Sequence, residues 1–246
     1  MRIVLTRNGQ IEVVARYTDM SPATGAMVLL HGIQGTAAAW EGVVEHLEPG
    51  RAVLMPNLRG RGHSATPADP AAYTLESFAA DLNSVIMSVN GPVTLVGWSM
   101  GVLVALTYLR DFGAEALDAL VLASGTACPG KEAVWFRGTT VKAIEIEAAA
   151  RAERLKLTAC ASGTAVAGSW MSARRADLRP VLPDIAVPVH VLHGDMDDQC
   201  PLEHGRVMAE AIPGAAFDVW KGVGHNLMAE HPRRFAKVLS RFHAEA

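Results

Sequence analysis

Apolar residues along this chain fall into two alternating rhythms. Short, nearly continuous apolar runs rich in β-branched residues, at 27–31, 52–57, 93–97, 117–123, 187–193 and 216–220, read as strands buried on both faces. Between them, apolar positions recur at helical spacing over 37–47, 75–89, 102–111, 202–211 and 232–244. Ahead of both, 3–6 and 11–17 meet around Asn8-Gly9 and read as a β-hairpin. Strands that alternate with helices predict an α/β fold: an eight-stranded, mostly parallel sheet flanked by helices.

The rhythm breaks between Thr126 and Pro183. That window has glycine-rich joints, a helical-looking stretch over 134–157, an apolar piece around Trp170-Met171 and no strand signal. An insertion placed there, before the strand pattern resumes at Val187, would sit over the C-terminal edge of the sheet. Open α/β sheets bind their ligands at that edge. The window is read as a small helical lid (126–183) on a single domain spanning 1–246. Trp135, Phe136, Trp170 and Met171 are its candidate pocket walls, with packing of the lid onto the body as their other possible role.

Composition narrows the picture. Half of the 246 residues are apolar, enough for one sizeable core. The net charge is −3, with no basic stripe, so neither nucleic acid nor an anionic membrane surface is expected as a partner. No apolar run reaches the roughly 18 residues of a membrane span. Residues 1–9 lack the apolar region and cleavage site of a signal peptide, and Cys128, Cys160 and Cys200 are odd in number and widely spaced. A cytoplasmic protein without a disulfide framework is expected, its oligomeric state left open.

The densest chemistry lies at Gly97-Trp98-Ser99-Met100-Gly101, between the 93–97 strand and the following helix. A strand that feeds a helix through G-x-S-x-G is a nucleophile elbow, holding a serine hydroxyl at the positive end of a helix. A serine alcohol needs a base, and the base an orienting acid. The loop after the 187–193 strand offers Asp195, Asp197 and Asp198, and the loop after 216–220 offers His225 between flexible glycines. The other histidines fit a base less well: His31 precedes a turn, His46 and His204 fall in helices, and His243 lies near the C-terminus.

From His31-Gly32 to Gly224-His225, the chain resembles the α/β-hydrolases, in particular compact members with a lid between the sixth and seventh strands. The resemblance implies an acid at Gly-x-x-Asp, which selects Asp197, and a base in the last Gly-His pair, which selects His225. It also implies oxyanion donors in the backbone amides of Ile33 and Met100, fixed dipoles aimed at charge that forms in the transition state. A further family segment, Asn57-Leu58-Arg59-Gly60-Arg61-Gly62-His63-Ser64, departs from the pattern by placing Asn57 where relatives commonly carry Asp. Arg59 and Arg61 read as solvated loop charges, or as binders of a substrate carboxylate.

Gln34 and Trp98 join Trp135, Trp170 and Met171 as candidate substrate-binding residues. Gln34 either donates to a substrate oxygen or braces its own turn. Cys200 reads as a small buried side chain. His190 and His193 lie three apart on a strand, face opposite sides and cannot chelate one ion. No Cys-x-x-Cys, His-Glu-x-x-His or phosphate-binding glycine loop occurs, so neither metal nor cofactor is implied.

The expected activity is therefore hydrolysis of a carboxylic ester through an acyl-enzyme on Ser99, with the apolar walls favouring a neutral or weakly polar small-molecule substrate. Lactone, thioester, peracid and C–C chemistries use the same constellation, as does acyl transfer to another alcohol. A ligand-binding receptor of this fold with little turnover is the alternative from another class.

Overall fold

The computed structural model describes residues 2–5, 10–16, 25–48, 50–130 and 132–245. Eight strands form one sheet in the order β1-β2-β4-β3-β5-β6-β7-β8. They are β1 (Arg2–Leu5), β2 (Glu12–Arg16), β3 (Ala26–Leu30), β4 (Ala52–Asn57), β5 (Val93–Trp98), β6 (Leu117–Ala123), β7 (Val189–Gly194) and β8 (Ala216–Trp220). β1 and β2 pair antiparallel, as does β2 with β4, and every later pairing is parallel. The expected hairpin thus forms, although its Asn8-Gly9 turn lies outside the described residues.

Side-chain alternation builds a core on each face. Val28 and Leu30, Leu54, Leu95, Leu120 and Leu122, and Val191 enter one core. Met27 and Leu29, Val53 and Met55, Val96, Val121 and Ala123, and Leu192 enter the other. α2 (Leu75–Ile86), α3 (Met100–Phe112) and α6 (Leu202–Ala211) cover the first face. α1 (Glu41–Val44), α7 (Leu227–Glu230) and α8 (Pro232–Glu245) cover the second. Such two-sided burial is why these strands read as continuous apolar runs.

Three helical elements differ from expectation. The segment over 37–47 is a 3₁₀ turn, Ala37–Trp40, started by the Thr36 side chain and followed by one short α-helix. Over 134–157 the helix is confined to α4 (Val141–Arg154). The apolar piece around Trp170 is a full helix, α5 (Gly163–Ala173), whose Gly, Thr and Ser residues are poor helix formers rescued by burial and by the Ser162 cap. Both α4 and α5 lie in the insertion between β6 and β7. Among the described residues, no helix is long and apolar enough to cross a membrane.

Candidate active site

At the C-terminal edge of the sheet, β5 turns into α3 through Ser99, whose backbone is forced to φ 57°, ψ −118°. That conformation costs on the order of 1–3 kcal/mol for a residue with a side chain. It persists because the crossing is over-determined. A Cβ at Gly97 would lie 2.6 Å from the Gly101 carbonyl oxygen, and one at Gly101 would lie 2.7 Å from that of Leu30. The Ser99 amide is also tied to the Ala123 carbonyl at 3.0 Å. Ser99 occupies the N-cap of α3 without using its side chain as a cap, which leaves Oγ available.

His225, delivered by the loop after β8, brings Nε2 to 3.0 Å from Ser99 Oγ. Its Nδ1 lies 2.9 and 3.0 Å from the two carboxylate oxygens of Asp197, in the loop after β7. With Nδ1–H donating to the carboxylate, Nε2 keeps a lone pair for the serine hydroxyl. Ser99, Asp197 and His225 are only 3%, 7% and 5% exposed, so these bonds are little weakened by water. Burial alone would raise the Asp197 pKa. Hydrogen bonds from His193 and His225, the charge of His225 and the Cys200 amide outweigh it and hold the carboxyl below the usual range. The Gln199 and Cys200 amides donate to Asp197 Oδ1 at 2.9 and 2.8 Å, so the acid's orientation is set by its own loop.

Asp195 and Asp198 do not compete for the histidine. Asp195 accepts from the Gly222 amide at 2.6 Å, bracing two neighbouring loops, and Asp198 is exposed. His193, however, was not foreseen as part of the site. It is wholly buried, with Nε2 2.7 Å from the Cys200 carbonyl and 3.4 Å from Asp197 Oδ2. His190, on the opposite side of the strand, pairs with Asp218 at 3.2 Å. Cys200 is fully buried, and burial holds its thiol above the usual range and therefore protonated.

The turn after β3 approaches from the other side. His31 donates from Nδ1 to the Gly32 carbonyl at 2.8 Å and accepts the Leu58 amide at Nε2 at 3.2 Å. Burial, and secondarily the charge of Arg61, push its pKa down to about 3, so the ring stays neutral. Arg61 is not the solvated charge that its sequence context suggested. It is 1% exposed, donating to the carbonyls of Ile33 and Arg59, each at 2.7 Å, and to Ser169 Oγ at 3.2 Å. Burial pushes its pKa down to about 9. Arg59 is likewise engaged, held on Asp81 by two bonds of 2.7 Å. Asn57 spans the Ala37 amide and Glu12, so the negative charge that an Asp would supply is carried instead by buried Glu12.

Residues 25–138 match a family model described as the alpha/beta hydrolase fold. An esterase structure from Exiguobacterium antarcticum superposes with a TM-score of 0.82 at 26% identity, covering 98% of each chain. The chain has the α/β-hydrolase fold. A bromoperoxidase from Bacillus anthracis shares that fold (TM-score 0.81, 23% identity, 98% of this chain and 99% of that one). Among curated sequences, the pimeloyl-[acyl-carrier protein] methyl ester esterase of Methylococcus capsulatus is 29% identical over 248 residues, 89% of this chain and 95% of the relative.

In this hydrolase fold, Ser99 and His225 open into a cavity of about 920 Å³, roofed by the insertion. Ile33, Gln34, Trp98 and Trp135 line it. Trp98 also donates from Nε1 to the His225 carbonyl at 3.0 Å, a positioning contact that sequence spacing could not reveal. Trp170 and Met171 are absent from the lining. Trp170 is buried behind Trp135, ring centroids 5.4 Å apart, and Met171, the next residue around α5, lines a separate groove near Asp69 and Arg175. Gln34 braces its turn by donating from Nε2 to the Ala148 carbonyl of α4 at 2.9 Å, while its Oε1 is buried without a partner. The cavity's cationic lining, Arg151, Arg154 and Lys156, also went unforeseen. Its trace in the sequence is three positive charges within a six-residue stretch of the insertion.

Proposed function

We propose that this protein is a serine hydrolase that cleaves a carboxylic ester by acyl transfer through Ser99. The reading rests above all on one geometry: Ser99 Oγ hydrogen-bonded to His225 Nε2 at 3.0 Å, with His225 Nδ1 on Asp197. Relatives named as esterases support hydrolysis as the reaction class. Ser99 Oγ attacks the ester carbonyl as His225 takes its proton, and Asp197 steadies the imidazolium that results. The carbonyl oxygen, now an oxyanion, is held by the amides of Ile33 and Met100, each such donor being worth about 100- to 1,000-fold in rate. Collapse expels the alcohol, which leaves with the proton from His225. Water, deprotonated by His225, then attacks the acyl-enzyme, and collapse of the second tetrahedral intermediate releases the acid and restores Ser99.

Steady-state hydrolysis of p-nitrophenyl esters of increasing acyl length, run on the wild type and Ser99→Ala together, tests this. Serine-dependent turnover of many equivalents is expected, with Ser99→Ala losing at least about 1,000-fold. A receptor that merely traps its ligand would stall after about one equivalent, and full activity in Ser99→Ala would refute the nucleophile.

A further inference from the structure

The cavity over Ser99 holds more positive charge than the fold requires. Arg151 and Arg154, from the last turn of α4, and Lys156, just beyond it, line the cavity against a single carboxylate, Asp198. Of the arginines withdrawn from water elsewhere, Arg51 has Asp118 and Arg59 has Asp81, whereas Arg61 is satisfied by two carbonyls and Ser169. Among the described residues, no carboxylate lies within ion-pair distance of Arg151, Arg154 or Lys156. Arg151 reaches instead across to the loop after β7, donating to the side-chain oxygen of Gln199, with its guanidinium 5.6 Å from the centre of the Phe136 ring.

The α4 dipole favours cations at this end, and Arg154 and Lys156 are exposed as it alone would allow, but Arg151 is half-buried, which the dipole does not require. Drawing a guanidinium partly out of water, with no ion-paired anion, only the weaker pull of Asp198, and a second arginine alongside, is unfavourable. Burial, and then the Arg154 charge, hold Arg151 below its ordinary pKa. Lys156 adds to the pattern, standing at φ 50° in the left-handed region where Gly ends helices at lower cost.

We propose that the preferred esters carry a second, anionic group, a carboxylate, which Arg151 binds through its planar fork while Arg154 and Lys156 raise the local positive potential. This deepens the ester-hydrolase reading and rests on it. It replaces the neutral or weakly polar substrate expected from the apolar residues. Arginine suits the task because its two parallel N–H donors match a carboxylate. The carboxylate can sit on the acyl side, in a half-ester of a dicarboxylic acid, or on the alcohol side, in an ester of a hydroxy acid.

The test compares half-esters of straight-chain dicarboxylic acids with the matching diesters over a series of chain lengths, and adds acyl esters of hydroxy acids. Adipate binding to Ser99→Ala, followed by tryptophan fluorescence, is measured alongside, since Trp98 and Trp135 line the cavity. The best acid-bearing ester should exceed its neutral counterpart in kcat/KM by about ten- to a hundred-fold, the worth of a charge-assisted hydrogen bond. That ratio should shrink with added salt. It should fall to within about twofold of one in Arg151→Gln/Arg154→Gln/Lys156→Gln, while Arg151→Lys, which keeps charge but loses the fork, retains part of it. Equal rates for charged and neutral esters, in an enzyme that turns both over, would overturn the anionic preference alone. Adipate binding that disappears in Ser99→Ala/Arg151→Gln, in a protein that hydrolyses no ester, would uphold the anion site and remove the hydrolase reading. Absence of both binding and preference would overturn the inference.

Discussion

α3 and α4 are nearly equal in length, 13 and 14 residues, yet they live in opposite surroundings. Ten successive residues of α3, 100–109, are buried, whereas α4 buries only Ile144 and Ala148. α3 includes the weak helix formers Gly101, Val102, Val104 and Thr107, so it owes much of its stability to packing on all sides. α4 is rich in Ala, Glu, Lys and Arg, begins with a Thr140 cap and would favour a helix almost anywhere. The deeply packed helix has the proposed nucleophile at its N-cap, and the superficial one carries the charges proposed to choose the substrate. On that reading, the chemistry is anchored in the tightly packed core and selectivity sits on a helix with few buried residues.

The contrast is broken most severely on the α3 side. Asp197→Asn should keep the fold and lower kcat by about 10,000-fold, because the amide no longer enforces the His225 tautomer; pre-steady-state and steady-state rates check it. A loss under tenfold would remove Asp197 from the proposed machinery. Gly101→Ala forces a methyl group to 2.7 Å from the Leu30 carbonyl oxygen and should cost about 3 kcal/mol or more, read from urea denaturation.

On the α4 side, Ile144→Ala removes a wholly buried side chain and should cost about 2–3 kcal/mol, the lower part of the usual range for such truncations. Hydrogen exchange sharpens the comparison: the lost protection should concentrate in α4 and α5 and spare α3. Equal loss throughout would mean that the two helices share one cooperative unit.

The smallest effect concerns pH. His31 stays neutral in the folded protein down to about 3, while its ordinary value is 6.5, so the unfolded chain binds the extra proton throughout that window. Stability should therefore fall as pH drops below 6.5, by up to about 1.4 kcal/mol per unit from this group. Urea unfolding at pH 6.5 and 5 should show that slope reduced in His31→Gln.

How much of this was legible in the sequence divides along the same line. β5, the elbow and α3 announce themselves because burial on both faces demands unbroken apolar runs and the crossing demands glycines at fixed offsets. Asp197 and His225, the proposed acid and base, lie in loops that leave recognisable strands, with the family resemblance picking Asp197 from its neighbours. α5 left only a faint mark, since its Gly163-Thr164 start and its small residues are poor helix formers that burial stabilises. Arg61 and Arg59 looked like loop charges because nothing local reveals that Ile33, Ser169 and Asp81, all distant in sequence, surround them. The same holds for Arg151, which meets Gln199 across 48 residues of chain.

Gln34 joins these two worlds mechanically. Its side chain grips the Ala148 carbonyl in α4, its own carbonyl receives the Ala161 amide just before α5, and its neighbour is Ile33. Gln34 thus ties the roof to the turn beside Ser99, alongside Arg61, which bonds both the Ile33 carbonyl and Ser169 of α5. A lift of α4 would pull on the peptide adjoining Ile33, whose amide is the proposed oxyanion donor. On the proposed reading, changes made in the roof to admit a new substrate should register in kcat as well as in KM.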